Sequence, residues 1–425
     1  MKPTRVRHSI VIVALLINVV CYTDRACLAV AGPEIRQTFG LDQAQMGLVF
    51  SIFSISYFLG QTPWGLLADR KGARGIVSFA VAGWSAFTAL TAAAWSYASL
   101  LVIRLIFGGL EAALSPSIAA AFSRWIPETE RSSAFGAFLS GGRLGAALTP
   151  PLVTILMLKF GWRVSFVVFG ALGIVWSGIW YVCYRNRPAE HPSISQFELG
   201  IINSGTPIQT EAKASRWEVL LRSPRLWCLL GAAFGSTFLW QFFITWFPTY
   251  LREHRGLSVG EVSLYASLPF VFGFMGTMSG GWIADLVGRK TDIRAGRTVV
   301  GLCSLIGACL LMSAGIWSSE GRVAALLMAL AAGFVDLYLG AAWSSATDIG
   351  GVYGGGVSGL MNASSNCAGF ASPFVMGWVL KNSGDWDSVL LFSVGSTFVA
   401  AVLWWFVNPR ASGVSQPALA EAMDA

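Results

Sequence analysis

Arg104 and Glu111 stand in the stretch VIRLIFGGLEAAL (102–114), where every other residue is apolar or glycine. Their spacing is two helical turns, which puts both side chains on one face of a helix. A second charged pair, Asp24 and Arg25, lies in CYTDRACLAVA (21–31), with Tyr22 three residues ahead of Arg25. A charge at the centre of a membrane helix costs about 2.5–3.5 kcal/mol on insertion scales, so such residues turn away from lipid. Arginine presents a planar fork that matches a carboxylate and keeps its charge. Aspartate and glutamate, by contrast, gain or lose a proton when desolvated or paired. These types suit an organic-anion site at Arg25 and Arg104 with Asp24 and Glu111 as proton carriers. In that scheme ionised Glu111 competes for Arg104, and protonation releases the arginine to the anion. Four charges of balanced sign also suit a purely structural ion-pair network, and the sequence leaves that alternative open.

The elements that must position these residues are membrane helices. The chain has 425 residues, 55% hydrophobic and only 12% charged, with a mean hydropathy of +0.62. Soluble domains carry roughly 25% charged residues, so the composition excludes that class. Apolar runs of about 20 residues, the length that crosses a ~30 Å hydrocarbon core as helix, recur along the chain. They lack strict alternation, which favours helices over a barrel. Twelve spans are expected, near 9–31, 46–68, 76–95, 98–121, 133–157, 164–184, 225–250, 262–285, 297–317, 322–346, 354–380 and 387–408. The basic start MKPTRVRH precedes a long apolar run with no small-residue cleavage site before the next span, which reads as an uncleaved anchor. Lys and Arg concentrate in alternate loops, which places both termini in the cytoplasm. The net charge of +7 reflects this bias rather than nucleic-acid binding. Seven cysteines at 21, 27, 183, 228, 303, 309 and 367 form no CxxC pair, and a metal site is not expected.

Two halves are expected: an N-terminal six-helix bundle over 1–184, a polar linker over 185–224, a C-terminal six-helix bundle over 225–410 and a tail over 411–425. A repeat supports the division. GLLADRKGAR at 65–74 and GWIADLVGRK at 281–290 share the pattern G-x-[LI]-A-D-x-x-G-x-[RK], each after the second span of its half.

The repeated loop resembles the signature of the major facilitator superfamily, and the resemblance covers nearly the whole chain. Within it, CYTDRACLAVA, RLIFGGLEAAL (104–114), ITWFPTYLREHRGLS (244–258) and RPAEHPSIS with the following Glu198 are similar to the anion:cation symporter family. That family includes sugar-acid transporters and vesicular glutamate and sialic acid carriers. The resemblance implies two six-helix bundles, all-α and membrane-embedded, that rock about a midplane site. It implies proton-coupled symport of a small organic anion, most simply a sugar acid, by a functional monomer in the bacterial inner membrane. It places carboxylate contacts on Tyr22, Arg25 and Tyr57 and polyol contacts on Trp343 and Asn362. It also assigns Asp69, Arg70, Arg74, Asp285 and Arg289 to a cytoplasmic gate.

Polar residues at helical spacing extend the draft site. Tyr57 and Gln61 share span two, Thr237, Gln241 and Thr245 form a stripe in span seven, and Ser358, Asn362 and Asn366 form one in span eleven. Such stripes also serve simply to join membrane helices by hydrogen bonds. Arg143 in span five and Asp336 in span ten depart from the simplest family picture. Three readings stay open: the two pair with each other, Arg143 supplies a second carboxylate contact, or either residue snorkels or meets backbone carbonyls. An enzyme is poorly supported, since His8, His191 and His254 lie outside the expected spans and no nucleophile elbow, P-loop or cofactor motif occurs. The rivals to symport are a proton-independent anion exchanger and a drug/proton antiporter, and the two cavity arginines argue against a cationic drug.

Overall fold

The structure, a computed structural model, describes residues 4–204 and 217–407. The expected tail 411–425, the end of the last expected span and the middle of the linker fall outside these residues. Within them the chain runs α1 Val6–Phe39, α2 Gln43–Lys71, α3 Ala73–Thr91, α4 Tyr97–Glu111, α5 Leu114–Trp125, α6 Arg131–Phe160 and α7 Trp162–Cys183. Then follow α8 Gln196–Ser204, α9 Trp217–Leu221, α10 Pro224–Thr245, α11 Phe247–Glu253, α12 Val259–Lys290 and α13 Ile293–Trp317. The chain continues through α14 Gly321–Leu337, α15 Leu339–Gly350, α16 Gly354–Ser383 and α17 Trp386–Phe406.

Among the described residues, ten helical stretches are long and apolar enough to cross a membrane. One of them, Gly321–Ser383, is 63 residues long and breaks at the short turn Gly351–Tyr353, giving two passes. α2, whose apolar run is interrupted by serines, Tyr57 and Gln61, is the remaining pass. Each of the twelve expected spans contains a helix, the third ending at Thr91 rather than 95, and three are broken in mid-course at 112–113, 246 and 338. The repeated motif ends α2 and α12. At 281–290 it is helical throughout rather than a loop, whereas at 65–74 Gly72 interrupts it with φ +85°.

Contacts divide the chain into two units, 1–127 with 137–205, and 128–136 with 206–425. In the first, α3 packs along α7, α2 along α4 and α1 along α7. Its core includes Cys27, Leu28, Ile35, Val49, Leu100 and Phe166. In the second, α12 lies along α14 and α10 along α16 and α17. A Cβ on Gly276 or Gly280 would sit 2.1 Å from the Gly333 carbonyl oxygen or 1.9 Å from that of Leu337. Small residues let the α12 and α14 backbones meet where lipid supplies no hydrophobic drive.

The segment after α7 folds back on the first unit. Trp125 donates its indole N–H to the Arg185 carbonyl at 2.7 Å, and Asn186 accepts from the Arg74 amide at 3.0 Å. His191 stands edge-on to Trp125, and burial there lowers its pKa. Glu198 on α8 is fully buried and closes the start of α1, whose N-cap residue makes no side-chain cap. One carboxylate oxygen accepts from the Thr4 hydroxyl at 2.5 Å and the Val6 amide at 3.1 Å. The other accepts from the Arg7 amide at 3.0 Å and the Arg7 guanidinium at 3.2 Å. Burial works to raise this carboxyl, but the Thr4 hydroxyl, the two amides and Arg7 outweigh it and hold the pKa below the ordinary value.

A depressed carboxyl stabilises the fold above its unfolded pKa and loses that contribution as pH falls through the folded value. Glu198→Gln is therefore expected to lower stability near neutral pH by about 3 kcal/mol, as for breaking a buried pair. In detergent this reads as a clear fall in the tryptophan-monitored Tm, and the gap to the parent closes below the carboxylate range. An unchanged Tm at pH 7 overturns the assignment.

Candidate functional site

Four side chains within little more than one turn of α1 meet residues of α2, α3 and α4 in the first unit. Glu111, 1% exposed at the end of α4, places Oε1 against Arg25 Nε and accepts from the Cys21 thiol at 3.2 Å. Its Oε2 has no hydrogen-bond donor facing it. The Arg25 guanidinium stands over Tyr57 at 4.4 Å, Phe53 at 4.9 Å and Tyr22 at 5.1 Å. Arg104, 4% exposed, lies over Phe107 at 4.3 Å and Phe53 at 5.3 Å. Its Nε donates to nothing. Asp24, 1% exposed, accepts the Trp84 indole N–H at 3.1 Å on Oδ2, while Oδ1 has no partner.

This corrects one expectation. Glu111 pairs with Arg25 on another helix, not with Arg104 on its own. The reason is geometric: seven residues at 1.5 Å rise separate the two along the axis by about 10 Å, beyond direct ion pairing. Sharing a face therefore put them in one site without making them partners.

Close helix crossings bring these residues together. A Cβ on Gly108 would stand 2.5 Å from the Phe53 carbonyl oxygen, and one on Gly60 2.8 Å from Ala112 Cβ. Trp64 adds an indole N–H bond of 2.7 Å to the Gly109 carbonyl. On α6, Cβ atoms at Gly141 and Gly145 would meet the Leu15 and Val19 carbonyls, and one at Gly142 the Tyr22 ring. Arg143 is carried beside Tyr22 by this packing and interacts with it electrostatically. Gln61 is fully buried on α2, one turn from Tyr57.

The residues drafted on the later helices belong to the second unit. Gln241 is half-buried, with its carbonyl taken by the Thr245 hydroxyl at 2.8 Å. Trp343, 5% exposed, packs against Phe135 at 5.8 Å between ring centres. Asn362 is half-buried, and Asn366 spends an N–H on the Asn362 carbonyl at 2.7 Å. Ser358 Oγ stands 3.4 Å from Thr347 Oγ1, a helix-joining contact. Asp336 is 2% exposed beside Trp240 where α12 crosses at Gly273.

The residues expected at the gate fall into two groups. Asp285 caps the first turn of α6: its oxygens accept the Ser132 and Ser133 amides at 3.2 and 2.7 Å and the Ser133 hydroxyl at 2.6 Å. A carboxylate at a helix N-terminus is stabilised by the free amides and the dipole. Arg289 reaches Glu130 at 3.7 Å, a half-exposed pair of little energetic weight. Near them, Asp348 gives one oxygen to Arg131 and the other to Arg297, both arginines buried. The sequence reading missed this triad because its members are 217 and 51 residues apart and no local spacing links them. In the first unit the Asp69 carbonyl accepts from Arg124 at 2.7 Å, and Arg70 is exposed. Arg74 donates to the Tyr181 carbonyl at 2.9 Å and lies over the Tyr181 ring at 4.1 Å.

Residues 14–354 match the family profile described as Major Facilitator Superfamily. The chain is 32% identical over 408 residues to "Probable sulfoacetate transporter SauU" of Cupriavidus necator, covering 95% of this chain and 94% of that one. It is 31% identical to the hexuronate transporter of Bacillus subtilis, covering 97% of each. Among solved structures, that of the proton:xylose symporter XylE with 6-bromo-6-deoxy-D-glucose superposes with a TM-score of 0.76 at 14% identity, covering 96% and 97% of the two chains. The chain belongs to the major facilitator superfamily. It is a transporter, not an enzyme.

Asp348→Asn removes the carboxylate that Arg131 and Arg297 share. A cost of about 3–5 kcal/mol is expected, because two buried guanidiniums lose their common counter-charge. The readout is thermal stability in detergent, where Asp348→Asn should fall well below the exposed-site control Arg70→Gln. Equal melting of the two variants refutes the expectation.

Proposed function

We propose that this transporter moves a small organic anion together with protons by alternating access, in the class of sugar acids and small carboxylates or sulfonates. The observation that carries the reading is a difference among buried carboxylates. Asp285, Asp348 and Glu198 have both oxygens engaged. Asp24 and Glu111 each keep one buried oxygen without a hydrogen-bond partner, beside arginines. A buried ionised oxygen with no donor facing it is costly, and a proton there cancels the charge without displacing a hydrogen bond. The names of the relatives, sulfoacetate and hexuronate carriers, support an anionic substrate.

In this scheme Glu111, when ionised, holds Arg25. Protonation of Glu111, with Asp24 as a second site, releases Arg25 and leaves it and Arg104 to the substrate anion. Tyr22, Tyr57 and Gln61 complete this half of the site; Gln241, Trp343, Asn362 and Asn366 serve the hydroxyl groups of a polyol acid. Asp69, Arg70, Arg74, Asp285 and Arg289 form the gate, which opens and closes as the two bundles, 1–184 and 225–410, rock about the site. The protein acts as a monomer in the bacterial inner membrane with both termini cytoplasmic, the side favoured by its basic loops. If one monocarboxylate enters with two protons, one positive charge crosses, worth about 2.3 kcal/mol per 100 mV.

The test uses purified protein in proteoliposomes, with hexuronates, aldonates and sulfoacetate added singly. External alkalinisation with at least one acid is expected, absent from empty liposomes. Glu111→Gln should keep tracer exchange and lose alkalinisation and accumulation. Retained proton-driven accumulation by Glu111→Gln, or exchange without any proton movement in the parent, sinks the scheme.

A further inference from the structure

Phe53 was not singled out by its sequence context, yet both arginines of the first unit stand over its ring. We propose that Phe53 is a positioning residue that holds Arg25 and Arg104 in register for a substrate anion; the proposal rests on the anion-transport reading above. The guanidinium carbons lie 4.9 and 5.3 Å from the Phe53 ring centre. The same ring packs at 5.4 Å from Tyr57 and 5.7 Å from Phe107, which take the two arginines at 4.4 and 4.3 Å. A continuous line of three rings, Tyr57, Phe53 and Phe107, therefore supports two like charges.

The chemistry of that support matters for an anion site. A carboxylate holds a guanidinium by taking its N–H donors, which a substrate must then win back. An aromatic ring attracts the cation through its quadrupole and uses no N–H. The donors in the guanidinium plane stay available to a carboxylate or sulfonate, as the unbonded Nε of Arg104 illustrates. Phe53 also carries no titratable group, so its hold on Arg25 persists when Glu111 takes a proton and lets go.

The backbone is built for this contact. Phe53 is one turn before Tyr57 on α2, and α4 presents Gly108 to it, one turn after Arg104. A Cβ on Gly108 would meet the Phe53 carbonyl at 2.5 Å and the ring edge at 2.9 Å. Absence of a side chain at 108 lets the ring slide between the two arginines' helices.

The experiment places mono-, di- and trifluorophenylalanine at position 53 in the full-length protein. Tracer uptake of the anion that the parent carries is then measured in proteoliposomes. Fluorination drains the ring quadrupole with little change of shape, so a packing role is left intact. KM is expected to rise stepwise along the series, by about threefold to thirtyfold at the end, as loss of cation–π attraction at buried sites implies. The proton-to-anion ratio should not change. Phe53→Leu should raise KM at least as far and Phe53→Tyr should restore it. A flat KM along the fluorinated series, or parent-like KM in Phe53→Leu, overturns the proposal while leaving anion transport standing. Failure of the parent to move any anion of the panel overturns both together.

Discussion

The constraint on which the molecule depends is that a charge inside a membrane protein must be matched from within the protein. Water is not there to do it, and the cost of a bare ion is several kcal/mol. Each buried charge therefore dictates which helices meet. Arg25 on α1 and Glu111 on α4 fasten two helices beside α2, whose Tyr57 and Phe53 rings face Arg25. Asp348 draws α13 and the start of α6 to α15. Glycines accompany these charges, where backbones approach closely. Gly60 and Gly108 serve α2 and α4; Gly141, Gly142 and Gly145 serve α6 and α1.

Much of this was legible in the sequence. Apolar runs of membrane length gave helices, and the repeated ten-residue motif falls at the ends of α2 and α12. Charges in apolar runs marked Asp24, Arg25, Arg104 and Glu111, and the structure brings them into one cluster. The wrong partner for Glu111 arose from treating a shared helix face as contact. Helical periodicity reports direction around an axis, but the pairing is decided by distance along it and by whichever helix crosses nearby.

Other residues escaped because their roles are created only by tertiary packing. Phe53 is one of 28 phenylalanines, and no spacing sets it apart from those that merely face lipid or fill cores. Its one available signal was position, a turn before Tyr57 on a stripe that continues to Gln61. Asp348 had no signal at all, since its arginines come from two distant segments. Glu198 was visible as part of a motif, but its task of closing the start of α1 depends on a contact spanning more than 190 residues.

Burial alone does not distinguish the carboxylates, since Asp24, Glu111, Asp285 and Glu198 are all nearly inaccessible. Satisfaction of each oxygen does separate them. Asp285 and Glu198 sit at helix N-termini, where amides that would otherwise be orphaned supply the donors. Adding a proton there would break these bonds. Asp24 and Glu111 lie partway along helical stretches, where neighbouring helices already use their amides internally and only side chains remain as donors. Indole, thiol and guanidinium reach one oxygen each time, and the second is left over. The helical setting thus leaves each of these two acids with one unengaged oxygen. Aromatic rings beside them support both arginines without using an N–H donor.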